Sequence, residues 1–122
     1  MKPSLDENQP IFLQIAQIIL DEIVEGHLKE GEQLPSENEL SRFYNINRAT
    51  VRKGLQTLVD DVFIYKQRGI GMFVSEGAYQ KIIDERQKQY RQNYITPLLE
   101  EGARIGMDVQ KIIQLIKKED QS

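Results

Sequence analysis

Two helix-start signals separated by a short turn constrain the fold of this chain more than any other feature. In the stretch LPSENEL, Ser36 can cap a helix, and Glu39, three residues later, can complete a capping box. Asn45 follows that helix, and asparagine tolerates the left-handed conformation that a tight turn between helices requires. Ile46 can close the turn from the core side, and Asn47 can cap the next helix. The stretch therefore predicts two short helices joined by a two-residue turn.

The helix that follows Asn47 is expected to have one apolar face and one basic face. Val51, Leu55 and Leu58 recur at i, i+4 and i+7, so they share one buried stripe. At about 100° per residue, the opposite side carries Ala49, Arg52, Lys53 and Gln56. This arrangement is that of a helix-turn-helix, whose second helix lies in the DNA major groove with its N-terminal residues at the base edges.

The distribution of charge agrees with a basic surface in this part of the chain. The formal net charge is −3, but residues 1–40 carry −7, residues 41–74 carry +4, and residues 75–122 are neutral. The acids of the first segment therefore hide a local excess of Lys and Arg. Chance clustering on a solvated face is the alternative explanation, and composition alone leaves it open.

Several classes of function lack the residues they need. The 122-residue chain has no cysteine, which excludes disulfides, a thiolate nucleophile and a Cys-ligated zinc site. Its single histidine, His27, follows the end of the first predicted helix, where a favourable helix-end charge is the simpler role. We therefore expect no enzyme, no cofactor and no metal site. The N-terminus lacks a signal-peptide pattern and IFLQIAQIIL is too short to span a bilayer, so a cytoplasmic protein without a membrane partner is expected.

The flanking elements complete a small winged domain. A first helix is predicted from about residue 10 to 25, and VFIYKQRGIGMFVS predicts an antiparallel hairpin. The tip of the hairpin carries Lys66 and Arg68 between glycines. Gly-x-Gly also occurs in dinucleotide-binding loops, but the third glycine is missing and the following run is strand-like, which disfavours that interpretation.

The remaining residues predict two amphipathic helices. The first runs from about residue 78 to 101 with a kink at Pro97, and Asp108 can cap the second. Their apolar stripes contain Tyr79, Ile82, Ile83, Tyr90, Tyr94, Leu98, Val109, Ile112, Ile113 and Ile116. Such a tail has little of its own to pack on, so burial against a second copy is expected, with folding back on the first domain as the alternative. The predicted fold is mainly α with a small β-hairpin wing: a winged helix-turn-helix domain (1–75) and a helical dimerisation tail (76–122).

The run GHLKEGEQLPSENELSRFYNINRATVRKGLQTLVDDVFIYKQRGIGMFV resembles the winged helix-turn-helix domain of GntR-family bacterial transcription regulators. The match extends over roughly residues 10–75 in order and without gaps. In the tail, ITPLLEEGARIGMDVQKIIQLIKKE is similar to the YtrA-like subfamily, in which two C-terminal helices replace larger effector domains and mediate dimerisation.

The resemblance implies which residues contact DNA. They are Asn38 in the second helix, Asn47, Arg48, Ala49, Thr50 and Arg52 in the third, and Arg68 and Gly69 at the wing tip. Lys53, Gln56 and Lys66 are expected as further backbone contacts. Five positions depart from the family pattern or from good helix chemistry. Asn45 replaces the usual turn glycine, and Asn47 replaces the usual Ser or Thr cap. Asn38 stands where many members have Arg, Val62 occupies a common glycine position, and Gly54 lies within the recognition helix at a cost of about 1 kcal/mol relative to alanine.

A homodimeric DNA-binding regulator is therefore the expected function, with repression at a palindromic operator. The resemblance implies that its own operon and a transporter are among the targets. The competing hypothesis is a winged module for protein association that binds no DNA. An effector, should one bind, is expected in the cleft between subunits or between tail and wing.

Overall fold

Three helices and a hairpin form the first part of the protein. In the computed structural model, which describes residues 1–122, α1 spans Ile11–Val24, α2 spans Glu37–Tyr44 and α3 spans Arg48–Asp60. Strands β1 (Ile64–Gln67) and β2 (Gly71–Val74) pair in antiparallel register as the wing. The predicted helix-turn-helix and hairpin are both present in the predicted order.

The hydrophobic core of this part lies where α1, α2 and α3 meet the hairpin. The predicted stripe of α3 is confirmed, because Val51, Leu55 and Leu58 are all buried. The other large, fully buried side chains of this core are Ile15, Ile19, Leu40, Ile64, Val74 and Ile82. Core contacts from α1 fix the orientation of α3, so the polar side of α3 faces outward.

At Gly54, α3 approaches α1 closely. A Cβ at this position would lie 2.5 Å from the carbonyl oxygen of Phe12 and 3.1 Å from Cβ of Ile15. The sequence predicted that glycine here costs stability relative to alanine. The structure reverses that expectation, because alanine would force the two helices apart.

The wing gains a third segment that sequence analysis did not identify. An isolated bridge pairs Gln33 with Phe73, and the backbone N–H of Leu34 donates to the carbonyl of Met72 at 2.8 Å. The chain before α2 is therefore attached to the outer edge of β2. This attachment places the start of α2 beside the wing.

Val62 adopts the left-handed conformation, with φ of 62°, in the turn that follows α3. The sequence left two outcomes open for this residue at a common glycine position: the turn avoids that conformation, or it bears strain. The second outcome is observed, since a β-branched side chain at positive φ is unfavourable. The side chain is largely exposed, so burial does not offset the strain.

The long helix that was predicted from about residue 78 to 101, with a kink at Pro97, contains a π-helical turn that the sequence did not predict. Helix α4 (Ala78–Tyr90) continues through a π-helical turn (Arg91–Ile95) into α5 (Thr96–Arg104). At the end of the π turn, the N–H of Thr96 donates to the carbonyl of Arg91, five residues earlier. The wider turn suits Pro97, which has no N–H to donate and whose ring would collide with a carbonyl four residues before it.

Helix α6 (Val109–Asp120) begins at the predicted cap. The Asp108 carboxylate accepts a hydrogen bond from the N–H of Lys111 at 2.8 Å. Gly102 of α5 lets α6 approach closely, because a Cβ there would lie 2.6 Å from Cδ1 of Ile112. These contacts join α5 and α6 into a helical pair.

The chain divides into two compact units, Met1–Ile83 (the first unit) and Asp84–Ser122 (the second unit). The predicted division fell after residue 75, but Ala78 and Ile82 are 1% and 2% exposed in the core of the first unit. The start of α4 is thus part of the winged domain. Among the helices of both units, none has the length and apolar character needed to cross a bilayer.

Candidate nucleic-acid interface

The position of α2 is set by the predicted capping box. The N–H of Glu39 donates to Oγ of Ser36 at 3.0 Å, and Oε1 of Glu39 accepts from the N–H of Ser36 at 3.0 Å. The hydrogen bond from the Ser36 backbone lowers the pKa of Glu39, because it stabilises the ionised carboxylate. Two N–H groups at the start of α2 that lack partners within the helix are thereby satisfied.

The turn between α2 and α3 has the predicted geometry. Asn45 is left-handed, with φ of 52° and ψ of 53°. The N–H of Ile46 donates to the carbonyl of Ser41 at 3.0 Å, and the Ser41 hydroxyl donates back to the carbonyl of Ile46 at 2.6 Å. Asn47 caps α3, since its Oδ1 accepts from the N–H of Ala49 at 2.6 Å. These bonds fix the angle at which α3 leaves the turn.

The predicted DNA-facing residues of α3 lie together on its outer side. Arg48, Ala49, Arg52, Lys53 and Gln56 are exposed, and Thr50 is half-buried. Asn47 is exposed at the helix start, and Asn38 is exposed on α2. The helix therefore presents a polar, cation-rich face from its first turn to its third.

Glu37, the first residue of α2, is the residue of this face that sequence analysis missed. Its Oε1 accepts from Nε of Arg52 at 3.2 Å, and its Oε2 accepts from Nη2 of the same residue at 3.2 Å. Nη2 of Arg48 lies 3.7 Å from the same Oε2. The hydrogen bonds from Arg52 to Glu37 raise the pKa of Arg52. The sequence showed only an acid beside a helix cap, because its pairing with α3 depends on how the two helices cross.

Lys53 and Gln56, which were expected to contact the DNA backbone, already have partners within the chain. Nζ of Lys53 lies 4.1 Å from the centre of the Phe12 ring, a cation–π geometry. Nε2 of Gln56 donates to Oδ1 of Asp60 at 2.8 Å. Part of the binding capacity of each side chain is thus used within the chain, as it is for Arg52.

The wing tip combines positive charge with a turn that suits glycine. Lys66 and Arg68 are exposed there, and Gly69 has φ of +79°, with no atom within 4 Å of the position that a Cβ would take. At Gly71 the chain passes close to the Gln33 side chain, whose Nε2 donates to the carbonyl of Ile70 at 3.0 Å. The turn is thus held from its base, while its tip is open to contact a groove.

One further cluster of polar groups lies at the end of α1. Ligand atoms of Glu22, Glu25 and His27 lie within 4.8 Å of one another, although the sequence predicted no metal site. Glu22 also accepts a hydrogen bond from the Met1 ammonium at 2.8 Å, and this contact raises the pKa of that amine. Nδ1 of His27 is 3.3 Å from Oε2 of Glu22. The histidine thus lies beside carboxylates at the end of its helix.

The second unit exposes most of the apolar residues that were predicted at a dimer interface. Tyr90, Tyr94, Leu98, Ile113 and Ile116 are exposed there, and so is Tyr79 in the first unit. Ile83 is half-buried. Ile82 lies in the first unit's core and Ile112 packs within the second unit, so neither offers a surface to a partner.

The capped α2, the left-handed turn, the cation-rich α3 and the hairpin together define a winged helix-turn-helix protein. Residues 12–74 match the family model described as "Bacterial regulatory proteins, gntR family". The chain belongs to this family.

Individual proteins support the same assignment over different lengths. A GntR family transcriptional regulator from Listeria monocytogenes has a TM-score of 0.78 at 30% identity, covering 93% of this chain and 98% of that one. YtrA from Sulfolobus acidocaldarius, a GntR-family transcription factor, has a TM-score of 0.57 at 35% identity, covering 75% and 94%. This likeness agrees with the YtrA-like character of the tail sequence.

Two further comparisons concern proteins with a stated role. The arabinose metabolism transcriptional repressor of Geobacillus stearothermophilus is 32% identical over 102 residues, which are 80% of this chain and 28% of the repressor. The DNA-binding domain of AraR, in complex with operator ORE1, has a TM-score of 0.54 at 28% identity, covering 62% of this chain and 94% of that one. The chain spans less than a third of the length of the curated relatives it matches.

Proposed function

We propose that this protein is a sequence-specific, double-stranded-DNA-binding transcription regulator that represses from a palindromic operator as a homodimer. The observation that carries the proposal is the outer face of α3. Arg48 and Arg52 project from the first turns of a helix whose start is fixed by a cap and by the left-handed turn at Asn45. Such a helix can enter the major groove, where arginine recognises guanine edges.

The remaining contacts follow from the position of each side chain. Thr50 and the amide nitrogen of Asn47 can hydrogen-bond phosphates at the start of α3, and Asn38 can do so from α2. Ala49 is small enough to let the helix approach the base edges. Arg68 and Gly69 of the wing lie in a tight turn that suits an adjacent groove. The division of labour is base reading by the arginines of α3 and positioning by the others.

The apolar surface of the second unit supports a homodimer. The residues of the second unit that we assign to the dimer contact are Tyr90, Tyr94, Leu98, Ile113 and Ile116. Tyr79 and Ile83, which the sequence also predicted at this contact, belong to the first unit. A two-fold axis would present two copies of α3 to two half-sites, which is the reason to expect a palindrome. Ile82 and Ile112 are left out because their burial is already complete within the chain.

Repression is the direction of regulation that the relatives support. The arabinose metabolism protein is named a transcriptional repressor, and the AraR domain was crystallised on an operator. Control of its own operon and a transporter rests on the sequence resemblance, as does an effector. A regulator of this kind works in the cytoplasm, where bacterial DNA lies, and binds rather than catalyses.

Selection of bound duplexes from a random pool tests the proposal directly. We expect a two-fold symmetric sequence to be enriched, and its affinity to fall steeply between two salt concentrations, because several phosphates are neutralised. Failure to enrich any sequence, or binding that is absent at low salt, would contradict the proposal and favour a protein-association module.

The same duplex tests the role of α3. Arg52→Ala should weaken binding to the selected duplex by about 1–3 kcal/mol, the range for one base-reading contact. Arg91→Ala, which removes the same charge from the exposed π turn, is the matched control and should leave affinity nearly unchanged. Equal affinities of the two variants would remove Arg52 from the site. Sedimentation of both variants checks that the dimer is intact.

A further inference from the structure

Glu37 is an acid on a cation-rich surface, at the start of a helix, where negative charge is favoured. It is the first residue of α2, and its side chain is 19% exposed, whereas those of Arg48 and Arg52 beside it are 55% and 59% exposed. A carboxylate next to a phosphate-binding surface repels the phosphates and reduces the local positive charge. The charge of Glu37 by itself should therefore weaken DNA binding. Any benefit of this residue must come from the contacts that it makes with the arginines.

The geometry of the Arg52 contact leaves one edge of the guanidinium free. Glu37 takes the edge formed by Nε and Nη2, here called the inner edge, with both distances at 3.2 Å. Of the five N–H donors of an arginine, this arrangement leaves three, including the pair on Nη1 and Nη2 that forms a second edge, here called the outer edge. That outer edge matches the O6 and N7 acceptors of guanine, which arginine reads with two parallel hydrogen bonds.

Holding the arginine also limits what else it can bind. A free arginine side chain samples many rotamers and can turn to the nearest phosphate of any sequence. An arginine tied to Glu37 loses less conformational freedom when it meets a base, and its inner edge is unavailable to phosphates. Arg48, at 3.7 Å from the same carboxylate, is attracted without a hydrogen bond and is held less firmly.

We propose that Glu37 is a specificity-determining residue: its carboxylate clamps the inner edge of Arg52, so that the outer edge reads a guanine, and it repels phosphates that would otherwise capture the arginine. The inference rests on the proposed DNA-binding function. Glu37 itself contacts no DNA base. Its role is to make Arg52 selective for guanine, where a free arginine would bind any nearby phosphate.

Glu37→Gln is the first variant to measure. It keeps the size of the side chain but removes the charge and one of the two acceptor oxygens. Its affinity for the duplex selected by the wild-type protein is compared with its affinity for a scrambled duplex of the same composition. We expect the ratio of the two affinities to fall about tenfold, within the discrimination carried by one bidentate base contact. The scrambled duplex should bind Glu37→Gln more tightly than it binds the wild-type protein. The slope of log affinity against log salt concentration should be steeper by about the contribution of one phosphate.

Two matched variants separate positioning from charge. Glu76→Gln makes the same charge change at an exposed site in the same unit, and it should leave the ratio unchanged. Glu37→Asp keeps the charge but is one methylene shorter, so it should also lower the ratio. In an Arg52→Ala background, Glu37→Gln should have no further effect on the ratio, since the residue acts through that arginine. Thermal unfolding of each variant checks the fold, and Glu37→Asp remains informative if Glu37→Gln does not fold.

The outcomes distinguish the two proposals. A wild-type protein that selects no sequence overturns the proposed function and this inference with it. A wild-type protein that selects a sequence, with an unchanged ratio in both Glu37 variants, overturns the inference alone. Equal changes in Glu37→Gln and Glu76→Gln would do the same, because they would reduce the effect to net charge. A repeated selection with Glu37→Gln should show a weaker guanine preference at one position of each half-site.

Discussion

The two units bury their apolar side chains to very different extents. The first unit, with 83 residues, exposes seven large hydrophobic side chains and holds the whole contiguous core, whereas the second, with 39 residues, exposes ten. Ile112 is the one large side chain that is buried in the second unit. Since a stable fold must remove apolar surface from water, we expect the first unit to fold by itself and the second to bury its apolar surface against a partner.

The largest effect is expected in the stability of two fragments that end at different residues. A fragment of residues 1–83 is expected to fold, while a fragment of residues 1–75 loses Ala78 and Ile82 from the core. Removing one buried isoleucine side chain typically costs about 2–5 kcal/mol, so the shorter fragment should be less stable by at least that amount. Urea unfolding of both fragments measures the difference. Equal urea midpoints would place the end of the winged domain at residue 75, as the sequence predicted.

A charge placed on the second unit should break the proposed dimer. Leu98→Glu is expected to raise the free energy of association by about 2 kcal/mol for each of the two copies, the scale of an interface hot spot. Leu13→Glu, at an exposed leucine of α1, is the control and should not change sedimentation. A dimer that survives Leu98→Glu would show that another surface joins the subunits.

Gly54→Ala tests the close approach of α1 and α3. We expect a loss of about 1–3 kcal/mol in the free energy of unfolding, because the added methyl must displace the Phe12 carbonyl. Intrinsic helix propensity alone predicts a gain of about 1 kcal/mol. The sign of the change in urea unfolding therefore decides between packing and propensity, and a gain would contradict the observed helix spacing.

Val62→Gly should act in the opposite direction. Relief of the left-handed strain at an exposed valine is expected to stabilise the first unit by about 1 kcal/mol. The thermal midpoint should rise for the isolated 1–83 fragment as well as for the whole chain. A lower midpoint in both would mean that the valine side chain makes a contact worth more than the strain.

The smallest effect is expected for the pH dependence of stability that Glu39 contributes. Because the folded-state pKa of Glu39 is lowered, its ionised form adds stability above the unfolded-state pKa, and this stability is lost as pH falls through the folded value. The difference in free energy of unfolding between the wild-type protein and Glu39→Gln should therefore become smaller as the pH falls. A gap that stays constant across that range would exclude the capping carboxylate as its cause.

Local signals in the sequence were sufficient for much of the fold. The capping box, the left-handed Asn45 and the Asn47 cap all act within a few residues of the chain, and all three are confirmed. The hairpin and the buried stripe of α3 were equally accessible from periodicity. The π turn before Pro97 was not, because periodicity does not distinguish a kink from a wider turn.

The candidate site was only partly visible in the sequence. Arg48 and Arg52 could be placed at the exposed start of α3 because the cap and the helical repeat fix their direction. Lys53 and Gln56 share that surface, yet their partners Phe12 and Asp60 became evident only in the structure. The direct role of each residue in binding DNA stays a prediction.

The sequence by itself determined where the first helices begin and end, which face of α3 is polar, and where positive charge collects, because these depend on neighbours along the chain. Only the tertiary structure decided that Gly54 is required, that Ala78 and Ile82 belong to the first unit, and that Glu37 pairs with Arg52. Each of these depends on the distance between elements far apart in sequence. No pattern within a single element encodes that distance.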